Sequence, residues 1–519
     1  MWKRIDWKPL AGQRDPLLGA AAWAAVLALA AWSVWQRWEV LGATPYAVGV
    51  DGWYYPIQVR SLLERGELAY PAAPLTFWLM TPIAALTDPI TAAKVIAALG
   101  GGLVAVPAFL LGRRVGGVAG GLVAAVLATT GGGSFYLSLE FVKNGLGLTV
   151  ALAAAWLGLR ALERPSAVRG TVAAAALAAA ALTHKMSALM ALALLVPAAV
   201  VELRARRPSP RRWRLVALAA TATVVGALVA GWLAPQRFVG PDDLALLDGV
   251  FTGPGEWQLP ALAVPHAGRG TYRLSLGHQG LVAAAAGALL VGAVIAGRLV
   301  AAIRSEARPA ERALTWAALA LVAVTSWPWL DVGDPDAVGF RLRVAAFAPA
   351  SVVAAAAVGR LVATLELPWR LVAVVPTLVA WVAVRPPAST EGMVSTEIPM
   401  VAATAAIRGA LPPDAVVIAA ERHLGFQAVW FARVAMRLRP ERVPPARRWR
   451  MIPLGIIGID SPLDRALRDA RAHPELVPPI GLHPGHPNGL VLVPEPTWEW
   501  VLARLPPRSQ AWWREWHTR

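Results

Sequence analysis

The chain has 519 residues, of which 57% are hydrophobic and only 16% are charged, and its mean hydropathy is +0.52. A soluble protein carries about a quarter charged residues, so this composition excludes an ordinary soluble globular protein. The formal net charge is +17, and the sequence has no cysteine, which excludes disulfide bonds and thiol chemistry.

Long apolar runs recur along the first three quarters of the sequence. They cover residues 17–36, 90–112, 115–132, 143–160, 171–183, 186–202, 215–233, 280–299, 313–330, 344–363 and 371–385. About 20 apolar residues cross a bilayer core, so we expect an all-α polytopic membrane protein with about eleven transmembrane helices. The first run lacks a clear signal-peptide cleavage site and is expected to be retained. Residues 75–86 are apolar but too short to span, and they predict a surface or re-entrant helix.

Basic residues gather in alternate connections between these runs, for example "RARRPSPRRWR" (204–214) and "RSEARPAER" (304–312). The positive-inside rule then places the N-terminus in the cytoplasm. An odd number of helices puts everything after residue 385 outside the cytoplasmic membrane. We attribute the net positive charge to this anchoring and to anionic membrane lipid, and we expect no nucleic-acid partner.

The sequence divides into two predicted domains. Residues 1–385 form a transmembrane domain with long outer loops at 37–90 and 235–279. Residues 386–519 form a small extracytoplasmic α/β domain, because short β-branched runs (415–419, 455–459 and 489–493) are separated by charged helical stretches. This domain either covers the outer site and helps to select the acceptor, or it serves solubility and partner docking.

The first outer loop opens with "GVDGWYYPIQ" (49–58), in which Asp51 lies between glycines and precedes Trp53, Tyr54 and Tyr55. The residues after the triplet predict a helix along the membrane surface. A carboxylate here can accept a proton from an attacking hydroxyl, and the aromatic rings suit stacking on a sugar or an isoprenoid tail. The alternative for Asp51 is an ordinary helix N-cap.

Charged residues of both signs also lie in the later outer connections. The candidates are Glu140, Lys143, His184, Lys185, Arg341 and Arg343. A charge at mid-bilayer costs about 2.5–3.5 kcal/mol, so their occurrence on one face predicts a site. We interpret Glu140 as a second catalytic acid and the other five as ligands of a donor phosphate. The alternatives are that Glu140 is merely solvated at a span boundary, that Lys143 snorkels to the membrane interface, and that His184 and Lys185 are ordinary turn residues.

Metal sites are weakly indicated. "DVGDPD" (331–336) has spacing compatible with a divalent cation such as Mg or Mn, but Pro335 and a missing glutamate depart from the calcium-loop pattern. The two histidines of "HPGHP" (483–487) lack the partners of a zinc site. We therefore assign no metal ligand.

An acid just after the first span, followed by aromatic residues and a surface helix, resembles the GT-C glycosyltransferase superfamily. Its members include protein O-mannosyltransferases, oligosaccharyltransferases and aminoarabinose transferases. Glu140 in "SLEFVKN" is similar to a second acidic motif of several members, and an outer globular domain also fits. Asp51 is followed by Gly52 rather than the glutamate of the mannosyltransferases, and the oligosaccharyltransferase signature Trp-Trp-Asp-Tyr-Gly is absent after residue 385.

The resemblance implies a membrane enzyme of the cell envelope, a hexosyl or pentosyl transferase. It would move a sugar from a polyprenyl-phosphate-linked donor to a glycan, lipid or protein acceptor at the outer face, by inversion, with Asp51 as general base. An O-antigen ligase or polymerase, using Arg and His of loop 235–279, is one alternative. A lipid-linked substrate transporter or flippase is another, although the predicted spans are almost free of ionisable groups and show no repeat. A non-catalytic assembly protein is the third.

Overall fold

The computed structural model describes residues 16–49, 51–206, 225, 229, 231–234, 250–251, 309–327, 329–331, 338–363, 410–419, 422–433, 435–437, 443–453, 461–482 and 490–516. The chain divides into two compact units. The first contains residues 1–42, 70–80 and 94–389, and the second contains residues 43–69, 81–93 and 390–519.

The part of the chain described before residue 364 is helical. The helices are α1 (Pro16–Gly42), α2 (Tyr54–Arg65), α3 (Leu75–Leu86), α4 (Pro89–Leu103), α5 (Ala105–Thr130), α6 (Gly132–Leu139), α7 (Val142–Glu163), α8 (Ala167–Thr183), α9 (Lys185–Arg206), α10 (Pro309–Thr325), α11 (Val338–Ala345) and α12 (Phe347–Ala363). Among the described residues, five helical stretches are long and apolar enough to cross a membrane. A multi-pass membrane protein is thus confirmed, while the predicted spans at 280–299 and 371–385 and most of 215–233 lie outside the described residues.

Several helix ends differ from the apolar runs that predicted them. Helix α1 continues to Gly42, which brings Arg37 inside a helix predicted to end at residue 36. The predicted break between residues 112 and 115 is a kink at Gly117, whose φ of 66° and ψ of −164° are non-helical. Only glycine adopts this conformation readily, so the kink follows from the residue type. Helix α10 ends at Thr325, five residues before the end of its apolar run at residue 330.

Small residues allow close packing between the helices of the first unit. A Cβ atom built on Gly120 of α5 would lie 2.5 Å from the carbonyl oxygen of Ala355 in α12, and one on Gly116 would overlap the same carbonyl. Glycine at these positions therefore lets the two backbones approach, as is common between membrane helices. Three residues before the kink of α5, the Arg114 guanidinium binds the Glu163 carboxylate and lies 3.7 Å from that of Glu311.

The second unit contains a five-stranded sheet with strand order β2-β1-β3-β5-β4. Its strands are β1 (Val416–Ala419), β2 (Ala435–Arg437), β3 (Arg448–Pro453), β4 (Ile480–Leu482) and β5 (Leu490–Pro494). Strand β1 pairs in parallel with β2 and β3, whereas β5 runs antiparallel to β3 and β4. The accompanying helices are α13 (Arg422–Ala432), α14 (Pro462–Ala472), α15 (Glu495–Ala503) and α16 (Pro507–Trp516), with a 3₁₀ turn at Pro445–Arg447. The predicted strand at 455–459 lies outside the described residues.

A buried ion pair joins β3 to α15 in this unit. Glu495 is only 6% exposed and accepts two hydrogen bonds of 2.6 Å from the Arg450 guanidinium, and Arg448 lies 3.4 Å away. Burial alone would raise the pKa of Glu495, but the hydrogen bonds and charges of the two arginines outweigh it and lower that pKa. The carboxylate is therefore held ionised at neutral pH.

Helix α2, predicted to lie along the membrane surface, packs against α13 of the same unit. The Arg60 guanidinium donates hydrogen bonds to the carbonyl oxygens of Trp430 (3.0 Å) and Val429 (3.3 Å) and lies 4.6 Å from the centre of the Trp430 ring. An exposed ion pair at 3.8 Å links Arg433 to Glu64. Part of the predicted first outer loop thus forms a compact body with the C-terminal segment.

Candidate active site

Asp51 lies in a tight turn that requires glycine on both sides. Gly49 has a φ of +94°, and its carbonyl accepts a 2.9 Å hydrogen bond from the N–H of Gly52. A Cβ atom on Gly52 would lie 2.5 Å from the carbonyl oxygen of Val48. Helix α2 begins at Tyr54 with Trp53 at its N-cap. Asp51 is therefore two residues before the N-cap position, so its interpretation as the helix N-cap is wrong.

The aromatic triplet after Asp51 is largely buried in the second unit. Trp53 is 1% exposed, and its ring centre lies 5.0 Å from that of Phe431 and 5.9 Å from that of Trp430. The Tyr54 ring lies 5.3 Å from that of Phe426. Tyr55 is 2% exposed. The stacking of these rings on a sugar or lipid stays a prediction, and their described ring contacts are with other aromatic side chains of the protein.

The hydroxyl of Tyr54 has an unusual environment. Burial raises its pKa, an effect opposed by a 3.0 Å hydrogen bond donated by the Gln58 amide and reinforced by the negative charge of Asp51. The net result is a raised pKa, so this phenol stays protonated at any physiological pH. Tyr54 can therefore donate a hydrogen bond beside Asp51, but it cannot serve as a base.

Glu140 belongs to the first unit and ends the short helix α6. It is 5% exposed, and its backbone N–H donates to the carbonyl of Tyr136 at 2.9 Å. Phe141 then leaves the helical region, with φ −130° and ψ 68°, and α7 begins at Val142. This break places Glu140 at the end of one helix and Lys143 in the first turn of the next.

Four of the predicted phosphate ligands come together in the first unit. His184 alone separates α8 from α9, and it is half-buried. Burial, followed by the positive charges of Lys143, Arg341 and Lys185, lowers the pKa of His184 well below 6.5. Its Nδ1 accepts a hydrogen bond of 3.2 Å from the N–H of Met186. The three cations thus act on a neutral imidazole, and the four side chains are here called the cationic cluster.

Two of the cations make cation–π contacts with aromatic rings. The Lys143 ammonium lies 5.7 Å from the centre of the Phe77 ring, and the Arg341 guanidinium lies 5.2 Å from that of Phe141. Such contacts contribute about 0.5–1 kcal/mol each at exposed sites and more where water is excluded. Phe141 directly follows Glu140, so Arg341 is placed next to the end of α6.

Arg343, the fifth predicted phosphate ligand, is not part of the cationic cluster, and its described hydrogen bond is to a backbone carbonyl. It is 1% exposed, and its Nη2 donates a 2.8 Å hydrogen bond to the carbonyl of Trp327. Its Nε and Nη1 have no hydrogen-bond partner among the described residues. The exposed rings of Trp327 and Trp329 lie next to each other, 5.4 Å apart.

Sequence reasoning missed Arg37, which lies in α1 and is 1% exposed. Its guanidinium bonds to Ser33, Thr129, Ser134 and Ser138. An arginine at the end of an apolar run gave the only signal, and it was assigned to the loop. The described residues contain no group of three His, Asp or Glu side chains able to hold a metal ion, and Asp334, Asp336 and the "HPGHP" histidines lie outside them.

The chain is similar to known membrane glycosyltransferases. Residues 71–232 match the family of dolichyl-phosphate-mannose-protein mannosyltransferases. The crystal structure of ArnT from Cupriavidus metallidurans, in the apo state, aligns with a TM-score of 0.52 and 15% identity over 92% of this chain and 99% of that chain. No curated protein sequence matches the chain.

Oligosaccharyltransferases from Archaeoglobus fulgidus show the same likeness. The apo form aligns with a TM-score of 0.52 and 13% identity, over 79% of this chain and 64% of that chain. AglB in complex with an inhibitory peptide and a dolichol-phosphate aligns with a TM-score of 0.51 and 12% identity over the same shares. The chain thus spans less than two thirds of these longer proteins. The matches confirm the predicted resemblance to GT-C membrane glycosyltransferases.

Proposed function

We propose that this chain, which has the GT-C fold, is a membrane glycosyltransferase that takes its sugar from a polyprenyl-phosphate-linked donor. The acceptor is a glycan, lipid or protein at the outer face of the cytoplasmic membrane, and the transferred sugar is a hexose or pentose. ArnT and AglB supply the fold-level precedent, and the AglB complex contains a dolichol-phosphate. The C-terminal unit lies on the outer side in this proposal, as the distribution of basic residues predicts.

The observation that carries the proposal is the cationic cluster around His184. Lys143, Lys185 and Arg341 are the second, first and fourth residues of α7, α9 and α11. A cation in the first turn of a helix opposes the helix dipole and costs about 0.3–1 kcal/mol at a surface site. Three such placements, together with a histidine kept neutral by burial and by their charge, describe a site of concentrated positive potential.

An anion bound at this cluster would remove that cost. Helix N-termini and arginine or lysine side chains are the groups that bind phosphate in proteins. A lipid phosphate brings such an anion to a membrane enzyme. We therefore propose that Lys143, His184, Lys185 and Arg341 bind the donor phosphate. In the same proposal, the unpartnered donors of Arg343 become available to that phosphate when the donor enters.

The proposed reaction is a single displacement with inversion at the anomeric carbon. The acceptor oxygen attacks that carbon, and the bond from the carbon to the phosphate oxygen breaks with its electron pair, so polyprenyl phosphate leaves. Asp51 takes the proton from the attacking oxygen, and Glu140 is a second acid that orients the acceptor or shares this role. A positioned general base contributes typically 10²–10⁴ in rate.

A divalent cation is an additional part of the proposal that can be tested separately. The ion would be Mg or Mn, and no ligand is assigned to it. Transfer should then stop in EDTA and return with Mg²⁺ or Mn²⁺. Full activity after exhaustive chelation would remove the ion from the mechanism and leave the rest of the proposal intact.

Substitution of the two acids tests the enzyme assignment. In proteoliposomes supplied with a radiolabelled polyprenyl-phosphate sugar and candidate acceptors, Asp51→Asn should lower kcat by about 10²–10⁴-fold. Glu140→Gln tests the second acid in the same assay. The matched control is Glu64→Gln, because the Glu64 side chain is an exposed acid of the same unit as Asp51. An Asp51→Asn enzyme with full activity would contradict the general-base assignment.

A further inference from the structure

The buried guanidinium of Arg37 uses its full hydrogen-bonding capacity. Nε donates to Ser138 Oγ (2.9 Å), and Nη2 donates to the carbonyl of Thr129 (2.9 Å) and to Ser134 Oγ (3.1 Å). Nη1 donates to the carbonyl of Ser33 (3.3 Å) and to its hydroxyl. These five bonds equal the five N–H donors of an arginine, and a lysine has only three.

Neutral groups alone stabilise this charge within the described part of the chain. Arg37 is 1% exposed, and its described partners are hydroxyls, carbonyls and the ring of Phe135, whose centre lies 5.3 Å away. A buried cation without a carboxylate is costly, so its retention requires a compensating set of hydrogen bonds. A Cβ atom on Gly101 would overlap both Arg37 Nε and Ser138 Oγ. Glycine in α4 thus leaves the space that the guanidinium occupies.

Two of the five bonds of Arg37 reach α6, the helix that is followed by Glu140. Ser134 and Ser138 lie one turn apart on α6, and Ser138 Oγ also donates to the carbonyl of Ser134 at 3.0 Å. The next residues are Leu139 and Glu140. A guanidinium that binds both serines therefore fixes the position of the last turn of α6, and with it the acid that follows.

We propose that Arg37 is a positioning residue that holds Glu140 in place through α6. It does not touch the substrate in this account. The inference rests on the proposed function for its catalytic consequence, because Glu140 matters to turnover only if it belongs to the reaction. Its structural consequence, the placement of the side chain at position 140, can be measured without any reaction.

A single thiol provides that measurement, because the chain has no cysteine. In Glu140→Cys, the thiol occupies a position that is 5% exposed and should react slowly with maleimide. Adding Arg37→Met should raise the alkylation rate on the order of tenfold, since loss of the two hydrogen bonds to Ser134 and Ser138 frees the end of α6. Adding Leu27→Ala instead is the matched control, because Leu27 lies on the same helix as Arg37 and is 57% exposed. It should leave the rate nearly unchanged.

Kinetics test the catalytic consequence. Arg37→Met should lower kcat on the order of 10²-fold with little change in the donor KM, as expected for a misplaced catalytic group. Arg37→Lys retains the charge and should give an intermediate kcat, and it serves as the readout if the methionine variant does not fold. Arg37→Met and Ser138→Ala should be non-additive, because they remove the same contact.

The outcomes separate the two claims. Equal alkylation rates with and without the Arg37 substitutions would overturn the positioning role, whatever the activity. Full activity in Glu140→Gln would refute the role of Glu140 in the proposed function, while the alkylation result would still decide the placement by Arg37. Strictly additive effects of Arg37→Met and Ser138→Ala would also contradict the inference.

Discussion

Substitution of Gly52 by alanine tests the turn that presents Asp51. A Cβ atom there would lie 2.5 Å from the carbonyl oxygen of Val48 and 2.9 Å from that of Gly49. Both atoms belong to the backbone, so no side-chain rotation can relieve the overlap. Ordinary contact begins at 3.4 Å, and the turn must therefore open by about 0.9 Å. Displacement of a catalytic group by about 1 Å can cost about 10²-fold in rate.

We therefore expect Gly52→Ala to lower kcat by about 10²-fold and to destabilise the protein by about 1–3 kcal/mol, the usual cost of overpacking. Transfer kinetics and thermal unfolding of the detergent-solubilised protein measure the two effects. The matched control is Gly170→Ala, since a Cβ atom on Gly170 meets nothing within 4 Å. A Gly52→Ala enzyme with wild-type kcat and melting temperature would refute the reasoning.

Three further predictions concern stability. Folded His184 has a pKa well below 6.5, so below pH 6.5 the unfolded chain binds a proton that the folded chain does not. The free energy of unfolding should therefore fall as the pH drops below 6.5, and it should fall less in His184→Gln. Identical pH profiles for the two proteins would contradict this. Glu495 has a lowered pKa, so its contribution to the free energy of unfolding is present above about pH 4.5 and is lost below it. Glu495→Gln should lower the free energy of unfolding by about 3–5 kcal/mol at neutral pH, because it leaves Arg450 unpaired. A change under about 1 kcal/mol would contradict the pairing. Arg60→Lys cannot reproduce the hydrogen bonds and ring contact at Trp430 and should cost about 1–3 kcal/mol in denaturant unfolding, whereas an unchanged midpoint would show that this contact contributes little.

The helical part of the fold was largely predictable because hydrophobic run length directly reflects bilayer thickness. Residues 75–86 were predicted as a short apolar helix, and α3 has the same bounds. Helix ends were harder to predict, because they depend on contacts rather than on hydropathy. Helix α1 continues past its apolar run because Arg37 finds acceptors on α5 and α6, 92 to 101 residues further along the chain.

The candidate site was predictable in residue type more than in arrangement. Lys143, His184, Lys185 and Arg341 were selected as charged residues at span ends. Their electrostatic coupling depends on the packing of α7 against α9 and on the position of Arg341 beside Phe141. The burial of Trp53 could not be predicted, because its partners Trp430 and Phe431 are almost 380 residues away in sequence. A single sequence contains no signal for such a pairing.

Binding of a polyprenyl phosphate without its sugar would test the central claim most directly. The measurement is the dissociation constant for the solubilised protein, compared between wild type, Arg341→Met and Arg169→Met, the last being a half-buried arginine at the opposite end of α8 from His184. The account predicts at least about a tenfold loss of affinity in Arg341→Met, since a charge-assisted hydrogen bond contributes about 1.5–3 kcal/mol, and no loss in Arg169→Met. Equal affinities for all three proteins would contradict the phosphate site at the cationic cluster.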